Sequence, residues 1–399
     1  MHHHRFEVLD SFRGLCALFV VVHHMHWQGS FTDWAFFRGS DLFVEFFFVL
    51  SGFVLAHGYA YKENLAFRPI VQARIFRLFP LHLFMLGLFV CMEGGKWLAH
   101  KTVGFSFNNA PFTQGYALGE LLPNLVLIQA WTPWTNALSF NTPAWSISIE
   151  FYMYLLLYLT LSAQPRVRHW IWLSIPLAMA ILTLTETKLL LSLVMRGLTG
   201  FFGGAFCYHL FRNYAHRLPL GRGLATVLEF FTVVGVYGII TTPMPYHTLW
   251  ATLWFFLTVL VFAKQSGKLS HLLGGSLFQQ GGQLSYSLYL THGAVIYVAT
   301  SLGMILQKLT GLELMPMVDG NRVFDSGNAL LNTLGALLTI IAVIGLSRWT
   351  YQHIELPGQR LGRRLRTAQT IQPGFSSAIS GRSHPQSSSA ARRPTSGPA

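Results

Sequence analysis

The chain of 399 residues is 52% hydrophobic and 15% aromatic but only 11% charged, with a mean hydropathy of +0.43. Soluble domains carry about 25% charged residues, which excludes an ordinary soluble enzyme, a secreted disulfide scaffold and a disordered hub. The net charge of +13 does not signal nucleic acid. Its basic residues lie in short gaps between apolar runs and at the C-terminal end, the pattern of membrane topology. Cys16, Cys91 and Cys207 sit in apolar stretches without CxxC spacing, so neither a disulfide framework nor a zinc site is expected.

A bilayer-crossing helix needs about 20 mainly apolar residues. In chain order the sequence predicts ten spans, at 11–28, 42–60, 79–99, 145–162, 170–186, 190–211, 223–242, 246–263, 285–306 and 328–350. Residues 100–144 are too polar and too rich in Pro and Trp to cross, and read as an extramembrane loop with a re-entrant piece near Leu121–Trp131. His2, His3 and His4 carry no argument, and the first apolar run does not resemble a cleavable signal peptide.

An even number of spans places both termini on one side. With that side cytoplasmic, only Arg38, Lys96, Lys101, Lys188, Lys308 and Arg322 fall outside and Arg196 within a span. All other Lys and Arg lie inside, as the positive-inside rule requires. The expected fold is therefore an all-α polytopic membrane protein of about ten transmembrane helices with both termini cytoplasmic. Residues 1–366 form one membrane domain, and the Ser/Pro/Arg-rich stretch 367–399 is expected to be a disordered tail.

Ionisable residues inside a bilayer are costly and mark function. Arg13 and His24 are eleven residues apart, which puts them on one helix face about 16 Å apart along the axis. This Arg-x10-His spacing resembles the signature of the acyltransferase-3 family of integral membrane acyltransferases. Five further stretches resemble the same family, in its order. They are Glu45-FFFVLSGF, Arg74-IF-Arg77-LF-Pro80, Asn141-T-Pro143-A-Trp145-Ser146-ISI-Glu150-FYMY, Gly282-Q-L-Ser285-Tyr286-SLYLT-His292 and His353-I-Glu355-L-Pro357. The family commonly has Asp where this chain has Glu45.

The resemblance implies O-acylation, typically acetylation, of an extracytoplasmic carbohydrate or glycoside from cytosolic acetyl-CoA. It also implies a stand-alone core without a fused periplasmic hydrolase-like domain, in a bacterial inner membrane. The expected spans sort the polar residues into two layers. Arg13, Arg74, Arg77, Ser285 and His292 fall towards the cytosol; His24, Glu45 and Glu150 fall towards the outer half. The guanidinium fork suits phosphate, so Arg13, Arg74, Arg77 and His292 are the candidate donor-binding residues. His24 is the candidate general base, with Glu150 or Glu45 orienting its ring. Trp145, Ser146 and Ser148 are candidate oxyanion donors. Without the motifs, a transporter or flippase of an anionic or lipid-linked metabolite fits the same spans, although no inverted repeat is visible.

Overall fold

The computed structural model describes residues 5–62, 66–104, 107, 109–187, 189–318 and 321–370. Lys188 and the 371–399 portion of the expected tail lie outside these residues. The structure is almost wholly helical. Every expected span is a helix: α1 (Glu7–His23), α2 (Phe43–Tyr59), α3 (Phe67–Val103), α4 (Ala144–Leu161), α5 (Pro165–Leu184), α6 (Ser192–Asn213), α7 (Arg222–Thr241), α8 (His247–Phe262), α9 (Ser276–Thr310) and α10 (Ala329–Thr350). A further helix, α11 (Leu356–Thr370), follows α10 through a π-helical turn at Tyr351–Glu355. Strand content among the described residues is one antiparallel pair, Met317–Val318 with Asn321–Arg322.

Among the described residues, seven helical stretches are long and apolar enough, by length and composition, to cross a membrane: Ser40–Tyr59, α3, α4, α5, α7, α9 and the stretch starting at Ala329. The other three expected spans fall short for identifiable reasons. Helix α1 has 17 residues and α8 has 16, while α6 is diluted by four glycines, Arg196 and Arg212. Contacts between helix ends nevertheless alternate between two faces. On one face Gln265 donates to the Arg5 carbonyl, Arg168 to that of Ala60, and Lys264 to those of Ala215 and Leu218. On the other, Arg38 pairs with His26, Tyr246 donates to the Leu184 carbonyl, and the Phe324 amide donates to the His26 carbonyl. By these contacts α1, α2, α5 and α8 each connect one face to the other.

Two seams position the site, and both depend on small residues. Helices associate closely in a bilayer where glycine lets backbones touch. A Cβ on Gly14 of α1 would collide with the backbone of Gly281 and Gly282 on α9. A Cβ on Gly52 of α2 would collide with the Phe201 carbonyl of α6, and one on Gly204 with the Val49 carbonyl. The seams therefore lock α1 to α9 and α2 to α6. Outward, Leu177, Ile181, Phe230, Phe231, Leu338 and Ile341 are exposed, as lipid-facing surfaces require.

The 100–144 loop is not peripheral throughout. Leu127, Gln129 and Ala130 are buried, the Ala130 amide donates to Ser148 Oγ, and Trp131 Nε1 donates to the Ser148 carbonyl. The segment expected to re-enter thus packs against the first turns of α4.

Candidate active site

Arg13, Arg74, Arg77, Glu150, Ser51 and Tyr154 line one narrow cavity. Ser51 and Tyr154 both donate hydroxyl hydrogens to Glu150 Oε1. Arg74 donates to Tyr59 Oη at 3.2 Å and lies over the Tyr154 ring, 5.2 Å from its centroid. Arg74 Nε is buried without a partner among the described residues. Three guanidinium groups thus converge on a cavity lined by one carboxylate, with Asp10 pairing Arg13 from outside it at 3.7 Å, and these planar forks suit an anionic guest.

A second cavity continues the first, sharing Arg13, Ser51 and Glu150 and adding Ser146, Ser285, Tyr286 and Tyr289. The two enclose about 40 and 50 Å³. Ser146 Oγ and Tyr289 Oη share a hydrogen bond of 2.8 Å at its wall. Beyond Tyr289 lies His292, with ring centroids 6.0 Å apart, and beyond His292 lies His24 at 4.9 Å.

Both imidazoles are held the same way. His24 Nδ1 lies 2.9 Å from the Val20 carbonyl, and His292 Nδ1 lies 3.2 Å from that of Leu288. A carbonyl only accepts, so each Nδ1 carries the hydrogen and each Nε2 presents a lone pair. His292 is fully buried, and its Nε2 has no partner among the described residues. His24 is half-buried beside His23, with ring centroids 5.0 Å apart.

The in-register pair on α1 is as the spacing predicts: the helix runs unbroken from Arg13 to His23, and His24 caps it. Arg13, Arg74 and Arg77 meet at one cavity. Three placements differ from expectation. His292 does not join the arginines; it packs on His24. Its helix begins at Ser276 rather than 285, so His292 sits about 24 Å along the axis of this 35-residue helix, near its middle and level with His24. Glu150, expected in the outer layer, lies in the arginine cavity. Glu45 is fully buried and committed to Arg196, whose Nε reaches Oε1 at 2.5 Å and whose second amino nitrogen reaches Oε2 at 3.0 Å. Neither carboxylate hydrogen-bonds His24; the Val20 carbonyl orients that ring instead.

Of the oxyanion candidates, Ser146 faces the cavity, whereas Ser148 donates to the Leu127 carbonyl and Trp145 lies under Arg196 at 5.2 Å. Two further residues belong to this region without a signal in the motifs strong enough to mark them. Glu355 is buried at the π-helical turn and accepts from Ser287 at 2.8 Å and Gln359 at 3.1 Å. Tyr154 has only its i,i+4 spacing from Glu150, the spacing of neighbours on a helix, to point to it.

Comparison with known proteins bears on this site. The chain is 30% identical to the Acyltransferase MdmB of Streptomyces mycarofaciens over 155 residues, 37% of each chain. It is 42% identical to Protein 2 in picA locus of Rhizobium radiobacter over 133 residues, covering 27% of this chain and 67% of that one. The aligned part thus spans well under half the length of the first of these relatives. No solved structure matches the chain. The acyltransferase-3 family model, described as an acyltransferase domain, matches residues 6–350, and so the chain belongs to the acyltransferase-3 family.

Proposed function

We propose that the protein is an O-acetyltransferase of a bacterial inner membrane. It moves the acetyl group of cytosolic acetyl-CoA to a hydroxyl of an extracytoplasmic glycan or glycoside. The observation that carries this reading is one continuous arrangement. The arginine-lined cavity continues to Ser146 and Tyr289, and an imidazole pair packs behind the Tyr289 ring. Arg13 at one end and His24 at the other belong to the same helix, about 16 Å apart.

In this reading Arg74 and Arg77, with Arg13, hold the CoA phosphates by charge-assisted bonds. The cavities are too narrow for a nucleotide, which stays at the cytosolic mouth while the thin pantetheine arm enters. The acceptor hydroxyl attacks the thioester carbonyl, and His24 Nε2 takes its proton. Ser146 and Tyr289 hydroxyls donate to the developing oxyanion. The carbon–sulfur bond then breaks and the CoA thiolate leaves. Glu45 acts at a distance, by fixing Arg196 and α6 against α2.

The test is release of free thiol from acetyl-CoA by the detergent-solubilised protein with membrane glycan extract as acceptor. Wild type should release thiol, and His24→Ala should lower the rate by about 10²–10⁴-fold. Wild type that neither binds nor consumes acetyl-CoA refutes the proposal.

A further inference from the structure

The His24–His292 contact has a direction. His292 lies on the side of Tyr289, a wall residue of the donor cavity, and is fully buried. His24 lies on the side of the half-buried His23 and of the Arg38–His26 pair, on the face opposite Arg5 and Lys264. Of the two rings, His292 is thus the one on the side of the donor cavity, and His24 the one on the side of the opposite face. Each ring spends its Nδ1 hydrogen on a carbonyl four residues back in its own chain, so the reactive atom of each is Nε2. A buried imidazole nitrogen without a partner is costly to maintain, and His292 Nε2 is one.

We infer that His292 is a second catalytic imidazole, which takes the proton from His24 and hands it to the departing sulfur. This rests on the function proposed above. One proton moves from the acceptor oxygen to His24 Nε2, then to His292 Nε2, then to the thiolate. The carbon–oxygen bond forms, the carbon–sulfur bond breaks, and nothing is oxidised or reduced. A second imidazole suits a site whose donor and acceptor approach from opposite faces, because a proton taken up at His24 Nε2 then has a relay towards the sulfur.

Protonating the leaving group matters only when that group is basic. Leaving groups of lower pKa depart faster and without help. The experiment therefore compares acetyl-CoA with its selenoester analogue, in which selenium replaces the thioester sulfur and departs as a stable selenolate. Wild type, His292→Ala, His292→Gln and His24→Ala are each assayed with both donors and membrane glycan extract, after size-exclusion confirms folding. With acetyl-CoA, both His292 variants should lose about a hundredfold or more in kcat, the scale of one acid–base group. With the selenoester they should return to within about tenfold of wild type, while His24→Ala stays impaired with both donors. Equal impairment of His292 variants with both donors, no impairment, or rescue of His24→Ala would overturn the inference while leaving the proposed function standing. Wild type inactive with both donors would refute the proposed function, and the inference with it.

Discussion

Arg196 grips Glu45 through two parallel hydrogen bonds across the α2–α6 seam, and its guanidinium lies over the Trp145 ring of α4. Three helices are thereby tied together at one buried ion pair. Removing one partner of such a pair strands a buried charge and costs about 3–5 kcal/mol, whereas replacing both with apolar groups can cost little. Glu45→Met and Arg196→Met should each lower the unfolding temperature in detergent sharply. The double variant should be more stable than either single one. Equal and additive losses would show that the pair does not act as a unit.

Arg74 and Arg77 are assigned to phosphate. A hydrogen bond to a charged group contributes about 1.5–3 kcal/mol, or roughly 10- to 150-fold in affinity. Arg74→Ala and Arg77→Ala should raise KM for acetyl-CoA on that scale and leave kcat largely intact. Arg77→Lys keeps the charge but not the fork, and should recover only part of the affinity. A fall in kcat at unchanged KM would move these residues from binding to another role.

Much of this site was legible in the sequence, and what was not has a common cause. Hydropathy located the ten apolar helices α1 to α10 but not the polar α11, and an eleven-residue spacing placed Arg13 and His24 on one face. Apolar length does not report where a helix starts, because polar residues such as Gln279, Gln280 and Gln283 extend α9 past its apolar run. That extension moved His292 from the arginine layer to the side of His24. Partners across seams were equally hidden. Arg196 finds Glu45 because Gly52, Gly200 and Gly204 let α2 and α6 touch, and Ser51 of α2 finds Glu150 of α4 far along the chain. The burial of Glu355 depends on a π-helical turn, which has no sequence period of its own.

The glycine seams make a separate prediction. At Gly14 a Cβ would meet the Gly281 and Gly282 backbone, whereas at Gly87, also within a helix, nothing lies within 4 Å. Gly14→Ala should destabilise the folded protein and reduce activity by displacing His24 relative to His292. Gly87→Ala should be neutral or slightly stabilising, since alanine is the better helix former. Parallel thermal unfolding and thiol-release assays check both. Tolerance of Gly14→Ala would mean that α1 and α9 do not need their close approach.

The account turns on a donor end and an acceptor end on opposite faces of the membrane. The most direct measurement uses sealed inside-out vesicles from cells expressing the chain, supplied externally with radiolabelled acetyl-CoA, to which the bilayer is impermeable. The account predicts label on glycan enclosed in the lumen, dependent on His24 and Arg13, and none when the acetyl-CoA is instead trapped in the lumen of the same inside-out vesicles, away from the cytosolic face. Label appearing only on glycan at the same face as the donor would contradict it.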